Sequence, residues 1–69
     1  MYLHLGSDMM VNVKKVIGIF AIKTLKNDNI GKDMIKKGVF DKNCASYILT
    51  DDEIFFSEIS PRTLKKRLQ

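Results

Sequence analysis

Val16-Ile17-Gly18-Ile19-Phe20-Ala21-Ile22 runs for seven residues without a polar side chain. Periodicity alone does not separate a strand from a buried helical segment here. Its shortness and its β-branched residues favour a strand. A strand that is apolar on both faces needs cover on both. The whole chain has 69 residues and a mass of 7.9 kDa. A domain of that size buries only about 60% of the surface its unfolded chain exposes. The second cover comes either from a helix of the same small domain or from a neighbouring subunit, and at this level both readings stand.

Upstream of this run, Tyr2-Leu3-His4-Leu5 alternates Leu3 and Leu5 against Tyr2 and His4. Gly6-Ser7-Asp8 is turn chemistry, and residues 9–13 alternate again, with Met9, Val11 and Val13 on one side. Two period-two runs around a short Gly-containing turn predict a β-hairpin. Downstream, residues 25–29 read as a polar connection. Asp28 is placed to cap a helix over residues 29–37 with Ile30, Met34 and Ile35 on one face. Lys36 and Lys37 suit the negative end of its dipole, and Gly38 suits the position just past it. Gly31 weakens that helix by about 1 kcal/mol relative to alanine.

Asp41-Lys42-Asn43 is a loop. Residues 45–50 and 53–58 flank Asp51-Asp52 and predict a second hairpin, with Tyr47, Leu49, Ile54 and Phe56 as its core side and Phe55 facing away. Ser60-Pro61 opens a last helix, where serine caps and proline loses nothing at the first helical position. Leu64 and Leu68 share its inward face. The expected fold is therefore α+β. It is one small domain over residues 1–69, built of two antiparallel hairpins and a central strand, with a short middle helix and a C-terminal helix.

The same inventory excludes most chemistry. A single cysteine, Cys44, forbids an intrachain disulfide and any multi-thiolate metal site. His4 has no second histidine and no acid placed to orient it, and reads as a plain strand residue. Asp51-Asp52-Glu53 lacks the spacing of a calcium loop and reads as a polar turn. Gly6, Gly18, Gly31 and Gly38 form no phosphate-binding loop. No enzyme, cofactor, metal or small-molecule substrate is expected. No apolar run is long enough to span a bilayer, and the last helix lacks the Trp or Phe of a membrane-inserting one. With a lone thiol and no basic-then-apolar leader, the expected compartment is the cytoplasm.

The basic residues are more informative. Twelve Lys+Arg stand against eight Asp+Glu, for a net charge of +4. Such a balance points to an anionic partner, nucleic acid first. Lys14 and Lys15 stand at the entrance of the central strand, Lys42 lies in the loop before the second hairpin, and Arg62, Lys65, Lys66 and Arg67 crowd the last helix. Lys23, Lys26, Lys32, Lys36 and Lys37 surround the middle helix. The acids Asp51, Asp52, Glu53 and Glu58 gather in the second hairpin, away in sequence from most lysines.

Three stretches acquire meaning together: Tyr2-Leu3-His4-Leu5-Gly6, Val16-Ile17-Gly18-Ile19-Phe20, and Ser60-x-x-Thr63-Leu64-Lys65-Lys66-Arg67. In this order and spacing the chain resembles the RemB branch of the extracellular matrix regulatory protein family (RemA/RemB-like), small bacterial proteins. The resemblance implies a closed ring of subunits that binds double-stranded DNA through its outer positive charges, nucleoid-associated, in the transcription of biofilm matrix genes. The RemA branch carries an arginine directly before its central strand, and Lys15 stands there in this chain. It also carries adjacent arginines in the loop before the second hairpin. Here that loop reads Asp41-Lys42-Asn43-Cys44, with one positive charge. The DNA-binding residues expected are thus Lys14, Lys15 and Lys42, with Arg62, Lys65, Lys66 and Arg67 as a second set. Lysine contacts a phosphate as a point charge and lacks the two-pronged geometry of arginine.

The competing reading is a non-enzymatic oligomeric interaction protein whose basic surface meets a protein or RNA. Salt-dependent preference for duplex DNA over single-stranded RNA separates the two.

Overall fold

A computed structural model describes residues 1–6 and 8–68. Strands β1 (Tyr2–Gly6) and β2 (Met9–Asn12) form the first hairpin, with Leu3 opposite Val11. Ser7, part of the expected turn, lies outside the described residues. Gly6 carries φ +96°, a conformation open to glycine at little cost. Val13 does not extend β2. It begins a single 3-10 turn, Val13–Lys15, because the Asn12 side chain accepts from the Lys14 N–H and draws the chain round.

The central run forms β3 (Val16–Ala21), paired antiparallel with β4 (Ser46–Thr50), which pairs with β5 (Ile54–Ser57). The pairing shifts between Val16 and Gly18, and the bulge leaves Ile17 65% exposed. Ile22 turns the chain into a short helix α1 (Lys23–Lys26), where the sequence pattern predicts only a polar connection. The backbone of Lys26 closes back on the Ile22 carbonyl, and the buried Ile22 side chain anchors the turn.

Helix α2 (Asn29–Lys36) starts at Asp28, whose side chain accepts from the Gly31 N–H at 2.8 Å. It ends at Gly38, φ +76°, where Gly38 N–H donates to Ile35 and Val39 N–H to Met34, closing a Schellman motif. Its inward face differs from the expected one. Met34 and Ile35 pack inward, but Ile30 is 72% exposed, and the buried residue of the first turn is Gly31. A Cβ on Gly31 would collide with the Leu25 carbonyl of α1. The glycine that weakens the helix is what lets α1 and α2 touch. The last helix, α3 (Pro61–Arg67), is capped by Ser60 accepting from the Thr63 N–H at 3.3 Å, with Leu64 fully buried.

The three-stranded sheet has cover on both sides. Ile19, Ile48 and Phe55 stand in one row and face the hairpin and α3, packing with Leu3, Leu5, Val11 and Leu64. Phe20, Tyr47 and Phe56 stand in the next row on the opposite face. There Phe56 stacks on Phe40 at 4.9 Å, beside Ile22, Cys44 and the residues of α1 and α2. Of Tyr47, Leu49, Ile54 and Phe56, expected as the core of this hairpin, Tyr47 and Phe56 pack against the second cluster, Leu49 is half-buried and Ile54 is exposed. Strand β4 turns Tyr47 and Leu49 to one face and Ser46, Ile48 and Thr50 to the other, and the face that meets the hairpin is that of Ile48 and Phe55. Buried hydroxyls lock this face: Ser57 donates to the Leu5 carbonyl at 2.6 Å, and Ser46 to that of Ile59 at 2.6 Å. The other face is covered over only part of its area. Ile54 is 49% and Phe20 43% exposed, although Phe20 stacks on Tyr47 and lies over Gly18.

Candidate nucleic-acid interface

Lys14 and Lys15 are exposed on the 3-10 turn. The Asn12 cap at 3.0 Å, and the Val13 N–H donating to the Met1 carbonyl at 3.1 Å, hold that turn at the entrance of β3. The lysines thus project from a fixed backbone and not from a loose loop. Val16 pairs with Thr50, so the acidic turn 51–53 comes to lie beside them. Lys15 Nζ stands 3.8 Å from Asp52 Oδ2. The Thr50 hydroxyl, 3.0 Å from Asp52 Oδ1, holds the Asp52 carboxyl below the usual range, and the Lys15 charge adds to this. The separation of acids from lysines along the sequence does not persist in space at this point.

Lys42 is exposed in the loop before β4. Its carbonyl accepts from Lys26 Nζ, which ties α1 to that loop. Ser46 lies at this end of β4 and Thr50 at the other. At about 3.4 Å per residue the strand sets its two ends roughly 14 Å apart, with Lys42 beyond one end and Lys14-Lys15 beside the other. One chain does not bring these three residues into one patch.

The second set divides as well. Arg67 Nη1 donates to the His4 carbonyl at 3.2 Å, so Arg67 braces α3 against β1. Lys65 borders a cleft of about 310 Å³ together with Val13, Val16, Ile17 and Leu68, beside the 3-10 turn. Arg62 and Lys66 are exposed on α3. Lys14 and Lys15 are therefore the pair at the β3 entrance, opposed by Asp52, and Lys65 borders a separate cleft. Reading the sequence missed Asp52 as a neighbour of Lys15. The signal lay in the β3–β4 register, which follows only when the two strands are known to pair.

Cys44 is buried in the second cluster, and His4 is an exposed residue of β1. Among the described residues no helix is long and apolar enough to cross a membrane. A family model, RemA-like, described as extracellular matrix regulatory protein A-like, matches residues 2–68.

The chain belongs to the RemA-like family.

A relative of this RemA-like chain, extracellular matrix regulatory protein B of Bacillus subtilis (strain 168), is 33% identical over 75 aligned positions, covering 100% of this chain and 91% of that protein. Both names agree with the resemblance carried by the hairpin, the central strand and the basic last helix. In this RemA-like chain, Lys15 occupies the position before the central strand and Lys42 the loop before the second hairpin.

Proposed function

We propose that this RemA-like protein assembles into a closed homo-oligomeric ring. The ring binds double-stranded DNA through surface lysines and so regulates transcription of extracellular (biofilm) matrix genes in the bacterial cytoplasm, at the nucleoid. It acts by binding and not by catalysis, with no cofactor and no membrane partner. The observation that carries this reading is the rigid, exposed Lys14-Lys15 pair at the entrance of β3, in a chain of this family. Support for assembly comes from the sheet face bearing Phe20 and Ile54, which its own helices cover only in part. A head-to-tail contact that closes makes a ring. It repeats each lysine once per subunit, so modest phosphate contacts multiply along one duplex. The wide separation of Lys42 from Lys14-Lys15 fits this, since each subunit then offers contacts at two places.

Light scattering at micromolar concentration, followed by titration with duplex DNA and single-stranded RNA over a range of salt, tests the reading. The expected result is an oligomer that prefers duplex DNA, with affinity falling as salt rises. A sharp 7.9 kDa monomer would refute the ring. Preference for RNA, or no duplex binding at low salt, would refute the DNA assignment.

A further inference from the structure

We propose that Asp52 is a built-in competitor for the DNA phosphate at Lys15, so that the acidic turn of each subunit sets how tightly the ring holds DNA. This inference rests on the DNA-binding reading and adds to it a residue that opposes binding.

Both members of the pair are presented by fixed backbone. Lys15 projects from a turn closed by Asn12, and Asp52 from a turn closed by Thr50. Thr50 is 4% exposed, and its hydroxyl lies 2.8 Å from the Glu53 carbonyl while accepting from the Glu53 N–H at 3.0 Å. That short, buried anchor fixes where the Asp52 carboxylate can go. The Val16–Thr50 pairing then fixes the distance between the two turns. The contact is therefore a product of the sheet register and not a chance meeting of two long side chains.

The contact is also weak enough to open. At 3.8 Å, with the side chains 52% and 61% exposed, solvent screens the pair strongly. A phosphate displaces Asp52 from Lys15, and the pair re-forms when the DNA leaves. Exposed pairs of this type shift an equilibrium by about 1.5- to 5-fold. In a ring that factor applies at every subunit touching the duplex, so a small local opposition becomes a large change in the affinity of the whole assembly. Asp51, exposed in the same turn, forms no ion pair among the described residues and supplies an internal control.

The test measures duplex affinity of the full chain against salt for the parent, D52N, D51N, K15A and the double variant K15A/D52N. Asparagine keeps the oxygen that accepts from Thr50, so D52N removes charge without removing the turn. D52N should tighten binding by about 1.5- to 5-fold per engaged subunit. D51N should tighten it less, and the D52N gain should vanish in the K15A background. Parent-like or weaker binding by D52N, beside a parent that binds, would overturn the competitor alone. So would a D51N gain equal to that of D52N, or a D52N gain that survives K15A. Absence of duplex binding in every form at low salt would overturn both this inference and the DNA assignment.

Discussion

Replacing Gly31 with alanine sets two effects of opposite sign against each other. Within an isolated helix the change is favourable by about 1 kcal/mol, because glycine loses more backbone freedom than alanine. In the folded protein the new methyl group points at the Leu25 carbonyl, with the Leu25 Cα only 3.1 Å away. Backbone atoms cannot rotate aside as a side chain would. Helix α2 must therefore move off α1, which loosens Met34, Ile35 and Leu25 around Ile22 and Phe40. Overpacking of this kind costs about 1–3 kcal/mol, and a backbone obstacle belongs at the upper end. The net expectation is a loss of about 1–2 kcal/mol. For a domain of this length that lowers Tm by roughly 4–16 °C. Thermal unfolding followed by circular dichroism, at one fixed protein concentration, measures it, since an oligomer's Tm moves with concentration. A Tm equal to or above the parent's would show that α1 and α2 do not meet at Gly31.

Three further outcomes are expected. Ser60→Ala removes the acceptor for the Thr63 N–H and should cost about 0.5–2 kcal/mol in chemical denaturation, while an unchanged midpoint would place the start of α3 elsewhere. Lys15→Ala should weaken binding to all duplex sequences alike and reduce the slope of log affinity against log salt by about 0.9 for each phosphate no longer neutralised, with the oligomer intact; full affinity at the parental slope would move the interface to Arg62, Lys65 and Lys66. Cys44→Ser should leave assembly and DNA binding intact, because among the described residues no group of three His, Cys, Asp or Glu that could hold a metal forms around the thiol, yet lower Tm by burying a hydroxyl beside Ile22 and Phe40. Cys44→Ala should recover part of that loss, and equal midpoints for the two variants would refute the buried position.

Local rules carried the reading of this protein where the forces are local. The first hairpin follows from alternation in residues 2–5 and 9–12, because successive strand residues face opposite sides whatever lies beyond them. The caps at Asp28 and Ser60 and the left-handed Gly38 follow in the same way. Each serves a backbone group within a few residues of itself. The basic composition and the three stretches that carry the family resemblance were likewise open to inspection without coordinates.

Tertiary structure alone decided the rest. Strand β4 has Tyr47 and Leu49 on one face and Ser46, Ile48 and Thr50 on the other, so its own alternation marks the first face as the apolar one. Yet Ile48 is the side chain that packs under the hairpin, while Tyr47 meets the second cluster. Residues 23–26 are too short and polar to announce a helix. They form one because Ile22 is buried and α2 packs against it through Gly31. Most consequential for function, the pairing of β3 with β4 brings Asp52 to Lys15 and sends Lys42 to the far end of the sheet. Such placements join residues dozens of positions apart. They depend on which surfaces of different elements fit together, a quantity that no window along the chain contains.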